Sequence, residues 1–279
     1  AEYLIVDAEG AVVGLRAFDS MNDRWVDIKA KKTIIATGGF ASNQEMVAQY
    51  YPEWTSIGCV TTQAMGEGIK LGQSVGGALG PMFGAATNLN ADTEVIFLPQ
   101  MFGRSFSILP NGKRFYNETS VHESASNCMA NGYFEWIAIF DDEIRQGPNK
   151  KQVDKGGEEI YTGNTVEELA AAMDFPLETL QAAFDRYAAI CEAGVDEEFG
   201  RTLHLENLQP PYYAYFNHPV RYKTSGGLWT DEFTQVLDEN KNPIPHLYAC
   251  GCAGGTTDIP PACGSGLYAG RCVVAALEG

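Results

Sequence analysis

Apolar and polar positions alternate through the first thirty residues, with turn residues between the runs. Tyr3-Leu4-Ile5-Val6, a turn at Asp7-Ala8-Glu9-Gly10 and Val12-Val13-Gly14-Leu15-Arg16-Ala17 predict a β-hairpin. Asp27-Ile28-Lys29-Ala30 predicts another short strand. The run Thr33-Ile34-Ile35-Ala36-Thr37 is apolar and closes at Gly38-Gly39, the pattern of a buried parallel strand. Ser42-Asn43-Gln44-Glu45 reads as a helix start, and Gly66-Glu67-Gly68 as a loop feeding a second helix through Ile69, Leu71 and Val75. Residues 80–115 show little periodicity and read as loops and short strands.

The period changes in the middle of the chain. Asn164-Thr165-Val166-Glu167-Glu168 places a capping residue before acids that suit a first helical turn. Pro176 opens the next helix, whose Leu177, Leu180, Ala183, Phe184, Tyr187 and Ile190 form one apolar face, and Gly194 ends it. Two strands, Tyr212–Phe216 and Val220–Thr224, follow. Gln235–Asp238 and a turn at Glu239–Asn242 make a hairpin, Leu247–Gly251 a buried strand, and Gly264–Leu277 a closing helix. Strands, a helical insert and strands again predict a mixed α/β fold in which the two chain ends complete one sheet around the insert.

The formal net charge is −17, from 36 acids and 19 bases. Such a surface repels nucleic acid and anionic membrane, so any anion site must gather its few cations locally. No apolar run is long enough for a membrane span. The chain opens Ala1-Glu2-Tyr3, without the basic and apolar regions of a signal peptide. Seven irregularly spaced cysteines argue against a disulfide framework and favour a reducing, cytoplasmic compartment. Cys250-x-Cys252 has no partner at ligand spacing, so no metal is expected.

Thirty glycines cluster at Gly38-Gly39, Gly66-Glu67-Gly68, Gly254-Gly255 and Gly264-Ser265-Gly266. A backbone that must approach a large flat or phosphorylated ligand excludes Cβ atoms, so the clusters point to a nucleotide-type cofactor. Gly264-Ser265-Gly266-Leu267 lacks the strands of a dinucleotide fingerprint and reads instead as a helix N-terminus offering free N–H groups. Arg114 lies in Asn111-Gly112-Lys113-Arg114-Phe115-Tyr116-Asn117-Glu118, by itself a surface turn. The four histidines form no triad, and no nucleophile elbow, P-loop or zincin motif is present.

Taken together, these segments resemble the fumarate reductase/succinate dehydrogenase-type flavoproteins. The resemblance rests on Ile34-Ile35-Ala36-Thr37-Gly38-Gly39-Phe40, Met65-Gly66-Glu67-Gly68-Ile69, Gly112-Lys113-Arg114-Phe115-Tyr116-Asn117-Glu118, Phe199-Gly200-Arg201, Ser225-Gly226-Gly227-Leu228 and Leu247-Tyr248-Ala249-Cys250-Gly251, in order along the chain. It implies a Rossmann-like FAD-binding domain interrupted by a cap: residues 1–85 and 223–279 in the former, 86–222 in the latter. It implies FAD, held by Thr37, Gly38, Gly39, Gly66, Glu67, Gly68, Gly251, Gly264, Ser265, Gly266 and Leu267. It also implies that the family's N-terminal Gly-x-Gly-x-x-Gly half is missing from this chain.

By the same resemblance, the activity is hydride transfer from the flavin to the β-carbon of an α,β-unsaturated carboxylate or enone. Arg114 is the implied proton donor and carboxylate clamp, Tyr222 and Lys223 are further catalytic groups, and Asn88, Glu118, Thr224 and Gly226 line the substrate. The electron donor is left open. Three departures matter: Ala86-Thr87-Asn88-Leu89 stands for the family's His-Pro-Thr, Tyr222-Lys223-Thr224 for its His-His-Thr, and Asp258–Cys263 for its final Arg. Lost carboxylate clamps favour a larger or less charged substrate than fumarate. The alternatives are a ketosteroid-dehydrogenase-type flavin enzyme, with Tyr116 or Tyr222 as acid/base, and a catalytically inactive fragment.

Overall fold

A computed structural model describes the chain except residues 60, 91–94, 97–102, 121–122, 149, 152–159, 257–258 and 279; the side chains of 83–90, 95–96, 222, 225 and 259 are also outside the description. It divides into two compact units, Ala1–Ala85 with Arg221–Gly279, and Ala86–Val220.

Unit 1 opens with an antiparallel meander of β1 (Tyr3–Val6), β2 (Val12–Asp19) and β3 (Arg24–Lys29). Gly14 is required here, because a Cβ would meet the Ile28 carbonyl on the neighbouring strand within 3 Å. A second sheet has the order β11–β12–β4, from β4 (Thr33–Ile35), β11 (Gln235–Leu237) and β12 (Pro243–Ala249). Strands β12 and β4 run parallel, with Leu247 opposite Thr33 and Ala249 opposite Ile35. The chain ends therefore complete one sheet, as the sequence pattern predicts. β4 is not buried on both faces: it is an edge strand, and Ile34 is 38% exposed while Ile35 joins the core of Val12, Leu228, Val236 and Leu247.

Helix α1 (Gln44–Tyr50) starts where expected, with the Asn43 side chain accepting from Met46 N. Helix α2 (Glu67–Ser74) follows Gly66, whose φ of 75° is the left-handed turn that only glycine adopts without cost.

Unit 2 holds the greater part of a six-stranded sheet. Along its main path lie β6 (Val95–Ile96), β5 (Phe83–Asn90), β10 (Tyr212–Ser225), β8 (Trp136–Phe140) and β7 (Ser105–Ile108), with β9 (Tyr161–Gly163) also paired to β10. The two strands expected at 212–216 and 220–224 are one strand; Pro219 does not break it. After the short helices α3 (Ser124–Ala130) and α4 (Asp142–Arg145), α5 (Val166–Ala172) is capped by Thr165, which accepts from Glu168 N. Helix α6 (Leu177–Ala193) ends at Gly194 with φ 67°. Its Leu180, Ala183 and Tyr187 pack on Phe106, Ile108, Ile137, Ile139 and Ala214 of the sheet.

Leu177, expected on the apolar face of α6, is 41% exposed, since the first turn overhangs the sheet's covered area. The contrast gives a stability test. Leu180→Ala, at a fully buried site, is expected to cost about 2–5 kcal/mol in urea unfolding, and Leu177→Ala less than about 0.5.

Candidate functional site

Ligands of parallel sheets gather outside the carboxyl ends of the strands. In unit 1 that position lies where β4 runs into Thr37-Gly38-Gly39-Phe40 and β12 into a 3₁₀ turn, Gly251–Gly254. The β4 exit is held from three sides. Phe40 N donates to Thr224 Oγ1 at 2.9 Å, and a Cβ on Gly39 would fall within 3 Å of that oxygen. Gly66 N donates to Gly39 O at 3.0 Å, and Gly68 packs against Thr37 so closely that a Cβ would overlap its hydroxyl. Cys250 N donates to Ile35 O at 3.0 Å and Leu228 N to Ala253 O at 2.8 Å, which fixes the β12 exit beside it.

The glycines expected at a cofactor divide into two groups. Gly39, Gly66, Gly68 and Gly226 are needed by the protein itself: added Cβ atoms would strike Thr224, Met46 with Phe40, Thr37, and Met82 with Pro81. Their glycine identity is therefore explained without a ligand. Gly38 has φ 81° and nothing within 4 Å of a Cβ; Gly251 has φ 64° and only the Ala262 methyl, at 3.9 Å. Gly264 and Gly266 likewise face open space. These four leave a bare backbone surface around the strand ends, the shape a flat ligand needs. Glu67 is exposed in the first turn of α2.

One expectation about this surface is corrected. Helix α7 spans Ile259–Glu278, so Gly264-Ser265-Gly266 lie inside the helix and not at its N-terminus. Their N–H groups belong to the helical ladder. The actual first turn contains Pro260 and Pro261, which carry no N–H. Ser265 instead ties α7 to the β12 exit. Its Oγ accepts from Gly251 N at 3.0 Å and donates to Ala262 O at 3.1 Å. Leu267 is 62% exposed on the same helix.

Arg114 is the residue expected as proton donor and clamp. It lies in unit 2 with its side chain 4% exposed, enclosed by the protein's own carboxylates. Its Nε and Nη2 donate to Glu118 at 2.7 and 2.6 Å, and Nη2 also donates to Asp196 at 2.9 Å. Tyr187 and Phe199 lie beneath the guanidinium. Glu118, expected against substrate, is fully buried: it accepts from Ser107 N and from Arg201 Nη1, at 3.2 and 3.3 Å.

Burial disfavours the Arg114 charge, but the hydrogen bonds and charges of Glu118 and Asp196 outweigh it and raise the pKa far above the ordinary arginine value. A guanidinium held this way gives up its proton less readily than a free one, and its Nε–Nη2 edge is taken. For Asp196, burial opposes ionisation, yet the Arg114 hydrogen bond and charge win and hold its carboxyl below the usual range.

Tyr116, one of two candidate acid/base tyrosines, is fully buried with Oη 3.4 Å from Ser107 Oγ. Lys223 is half-buried near the end of β10, next to Thr224. Asn88 lies in β5 and Tyr222 in β10, with side chains outside the described residues. Asp196 and Arg201 emerge as partners of Arg114 and Glu118 that spacing did not reveal. The four-residue spacing of Arg114 and Glu118 is a signal that could have found their pairing; Asp196 lies 82 residues from Arg114.

Comparison with known proteins places this geometry. Residues 1–267 match the family described as FAD binding domain, and the chain belongs to that family, with FAD as its cofactor. It is 30% identical over 268 residues to the urocanate reductase of Eggerthella lenta, covering 90% of this chain and 44% of that protein. The open conformation of a flavocytochrome c3 fumarate reductase superposes with a TM-score of 0.67 at 26% identity, over 97% of this chain and 50% of the other. A 3-ketosteroid Δ1-dehydrogenase from Sterolibacterium denitrificans shares the fold, with a TM-score of 0.75 at 22% identity, over 99% of this chain and 59% of the other. The chain thus spans about half the length of the relatives it matches. No helix among the described residues is long and apolar enough to cross a membrane.

The carboxylate cage makes a stability prediction. Arg114→Ala leaves buried Asp196 without its cation and Glu118 with Arg201 alone, and is expected to cost about 3–5 kcal/mol in urea unfolding. Arg114→Lys is expected to recover only part, because an ammonium cannot bridge Glu118 with two hydrogen bonds. The pH dependence has a fixed sign. Because Asp196 titrates lower folded than unfolded, its contribution is complete above the unfolded value, near 3.8, and disappears as pH falls through the folded one. Acid titration of stability should therefore be shallower for Asp196→Asn.

Proposed function

We propose that this chain forms part of a flavin-dependent oxidoreductase acting on a carbon–carbon double bond next to a carboxylate or carbonyl. The observation that carries the reading is the bare backbone at the carboxyl ends of the parallel strands β4 and β12, where Gly38 and Gly251 turn in the left-handed region beside open space. Thr37, Gly38 and Gly251, with the Gly264–Leu267 face of α7, would hold the FAD. Bound FAD supplies the hydride.

The chain's own residues then have limited work. Thr224 Oγ1, by accepting from Phe40 N, fixes the β4 exit at the flavin. Lys223, the adjacent residue, orients a carboxylate or carbonyl oxygen and stabilises the charge that develops there as the β-carbon accepts hydride. Tyr222 is the candidate to deliver the proton to the α-carbon. The domain boundaries at 85 and 222 make residues 1–85 and 223–279 the flavin-holding part and 86–222 the cap. An N-terminal dinucleotide-binding half and an electron donor belong to the whole protein on this reading.

The reductase relatives favour an unsaturated acid as substrate. The second reading, a ketosteroid-dehydrogenase-type enzyme with Tyr222 as acid/base, gains support from the burial of Arg114 against Glu118 and Asp196, since Arg114 is the residue that favours a reductase over it.

Gly264→Val tests the flavin face without disturbing the fold, since nothing lies within 4 Å of the added Cβ and glycine is a poor helix residue. Thermal stability should hold, while FAD retained after desalting, read from the visible flavin band, should drop by about tenfold or more. Full retention by a folded Gly264→Val protein would remove α7 from the site and with it the reading. Oxidation of reduced flavin in the protein by cinnamate, compared with an enone such as 4-androstene-3,17-dione, separates the two substrate classes.

A further inference from the structure

Unit 2 contains a cavity of about 880 Å³ that the flavin reading leaves unused. The loop Asn111–Arg114 and the first turns of α6 enclose it, with Glu198 and Phe199. In a chain of net charge −17, three cations meet there: Lys113, Arg114 and Arg186. Gly112, at φ 79°, brings the loop against Thr179; a Cβ would overlap its methyl group. That close approach keeps Lys113 and Arg114 facing α6.

Arg114 is not fully satisfied by its cage. Nε and Nη2 are taken by Glu118 and Asp196, but buried Nη1 has no hydrogen-bond partner. Glu198 Oε2 comes no closer to it than 4.0 Å, too far for a hydrogen bond. A buried guanidinium nitrogen without an acceptor is costly and calls for an oxygen. Glu198 does not supply one because its carboxylate is drawn to Arg186, a mostly exposed side chain whose Nε donates to Glu198 Oε1 at 2.9 Å. Phe199, Ala182 and the Thr179 methyl give the cavity an apolar wall.

We propose that this cavity is a binding site for a small organic carboxylate with an apolar body. The carboxylate takes the place of Glu198 between Arg186 and Arg114 Nη1, Lys113 adds a third positive charge, and the apolar body lies against Phe199 and Ala182. Glu198 acts as the built-in competitor: it neutralises Arg186 when no ligand is present and swings to solvent when one enters. Glu178 is the remaining acid at the cavity and sets a preference for one negative charge over two.

The test is a ¹H–¹⁵N NMR titration of the chain with sodium benzoate, repeated with sodium phosphate. Benzoate should produce saturable shifts confined to residues 111–114, 178–186 and 198–199, with phosphate weaker. Arg186→Ala should weaken benzoate by about tenfold, as expected for a lost charged hydrogen bond. Glu198→Gln should tighten it about threefold or more, because the competitor's charge is gone while its shape remains. That opposite sign separates a competitor from a merely structural acid. Both substitutions lie on partly exposed side chains, and the same spectra report whether each variant is folded. Non-saturating shifts, equal affinity in Arg186→Ala, weaker binding in Glu198→Gln, or phosphate binding as tightly as benzoate would each overturn the proposal. So would shifts centred on residues 37–40 and 251, which would assign benzoate to the proposed flavin surface instead.

Discussion

The parallel pairing of Thr33–Ile35 with Leu247–Ala249 is the constraint on which the rest of unit 1 depends. Parallel neighbours cannot be joined by a tight turn, so the chain between them must leave and return. Here that excursion includes all of unit 2, and the loop closure it requires is repaid only when both strands are in place. The pairing also sets two carboxyl ends side by side. Everything assembled at those ends is a consequence: the Cys250–Ile35 hydrogen bond, the Thr224 hydroxyl that anchors Phe40, and the glycines that let α2 and the 251–254 turn close in. A defect in this pairing would separate segments that no local interaction brings together.

The glycines show how two different demands leave the same mark in a sequence. Gly39 and Gly68 are compelled by neighbours inside the protein, whereas Gly38 and Gly251 stand beside open space with positive φ. Both groups lie in the same motifs. Only the three-dimensional neighbours separate a glycine that makes room for a threonine from one that stands beside open space.

Much of the fold was legible because its signals are local. Asn43 and Thr165 as caps, Gly194 as a helix stop, the 3–17 hairpin and the alternating face of α6 each depend on residues a few positions apart. The misreadings have the opposite origin. The closing helix was expected from Gly264, but Pro260 and Pro261 fit a first turn, where no N–H is needed, and the helix starts five residues earlier. Two strands were expected where β10 runs unbroken through Pro219, since an N–H that a strand does not use can be lost without ending the strand. Arg114 was legible as a motif and illegible as an environment, because Asp196 and Arg201, which decide its role with Glu118, come from a distant stretch of sequence.

That environment bears directly on the chemistry. A proton donor must lose its proton and regain it in every cycle, so its two protonation states must lie within a few kcal/mol of each other near neutral pH. The cage around Arg114 does the reverse: each carboxylate that stabilises the guanidinium raises the cost of the neutral form. Glu118 is itself bound by Arg201 and Ser107 and cannot move aside without leaving those groups unpaired. The four charges of Arg114, Arg201, Glu118 and Asp196 cancel in pairs, and both guanidiniums lie over the Tyr187 ring. On the proposed function, proton delivery falls to the β10 end of the chain, where Tyr222 and Lys223 precede the Thr224 anchor. A tyrosine or lysine there can be tuned toward neutrality by desolvation and by a neighbouring charge, an adjustment closed to Arg114 within its cage.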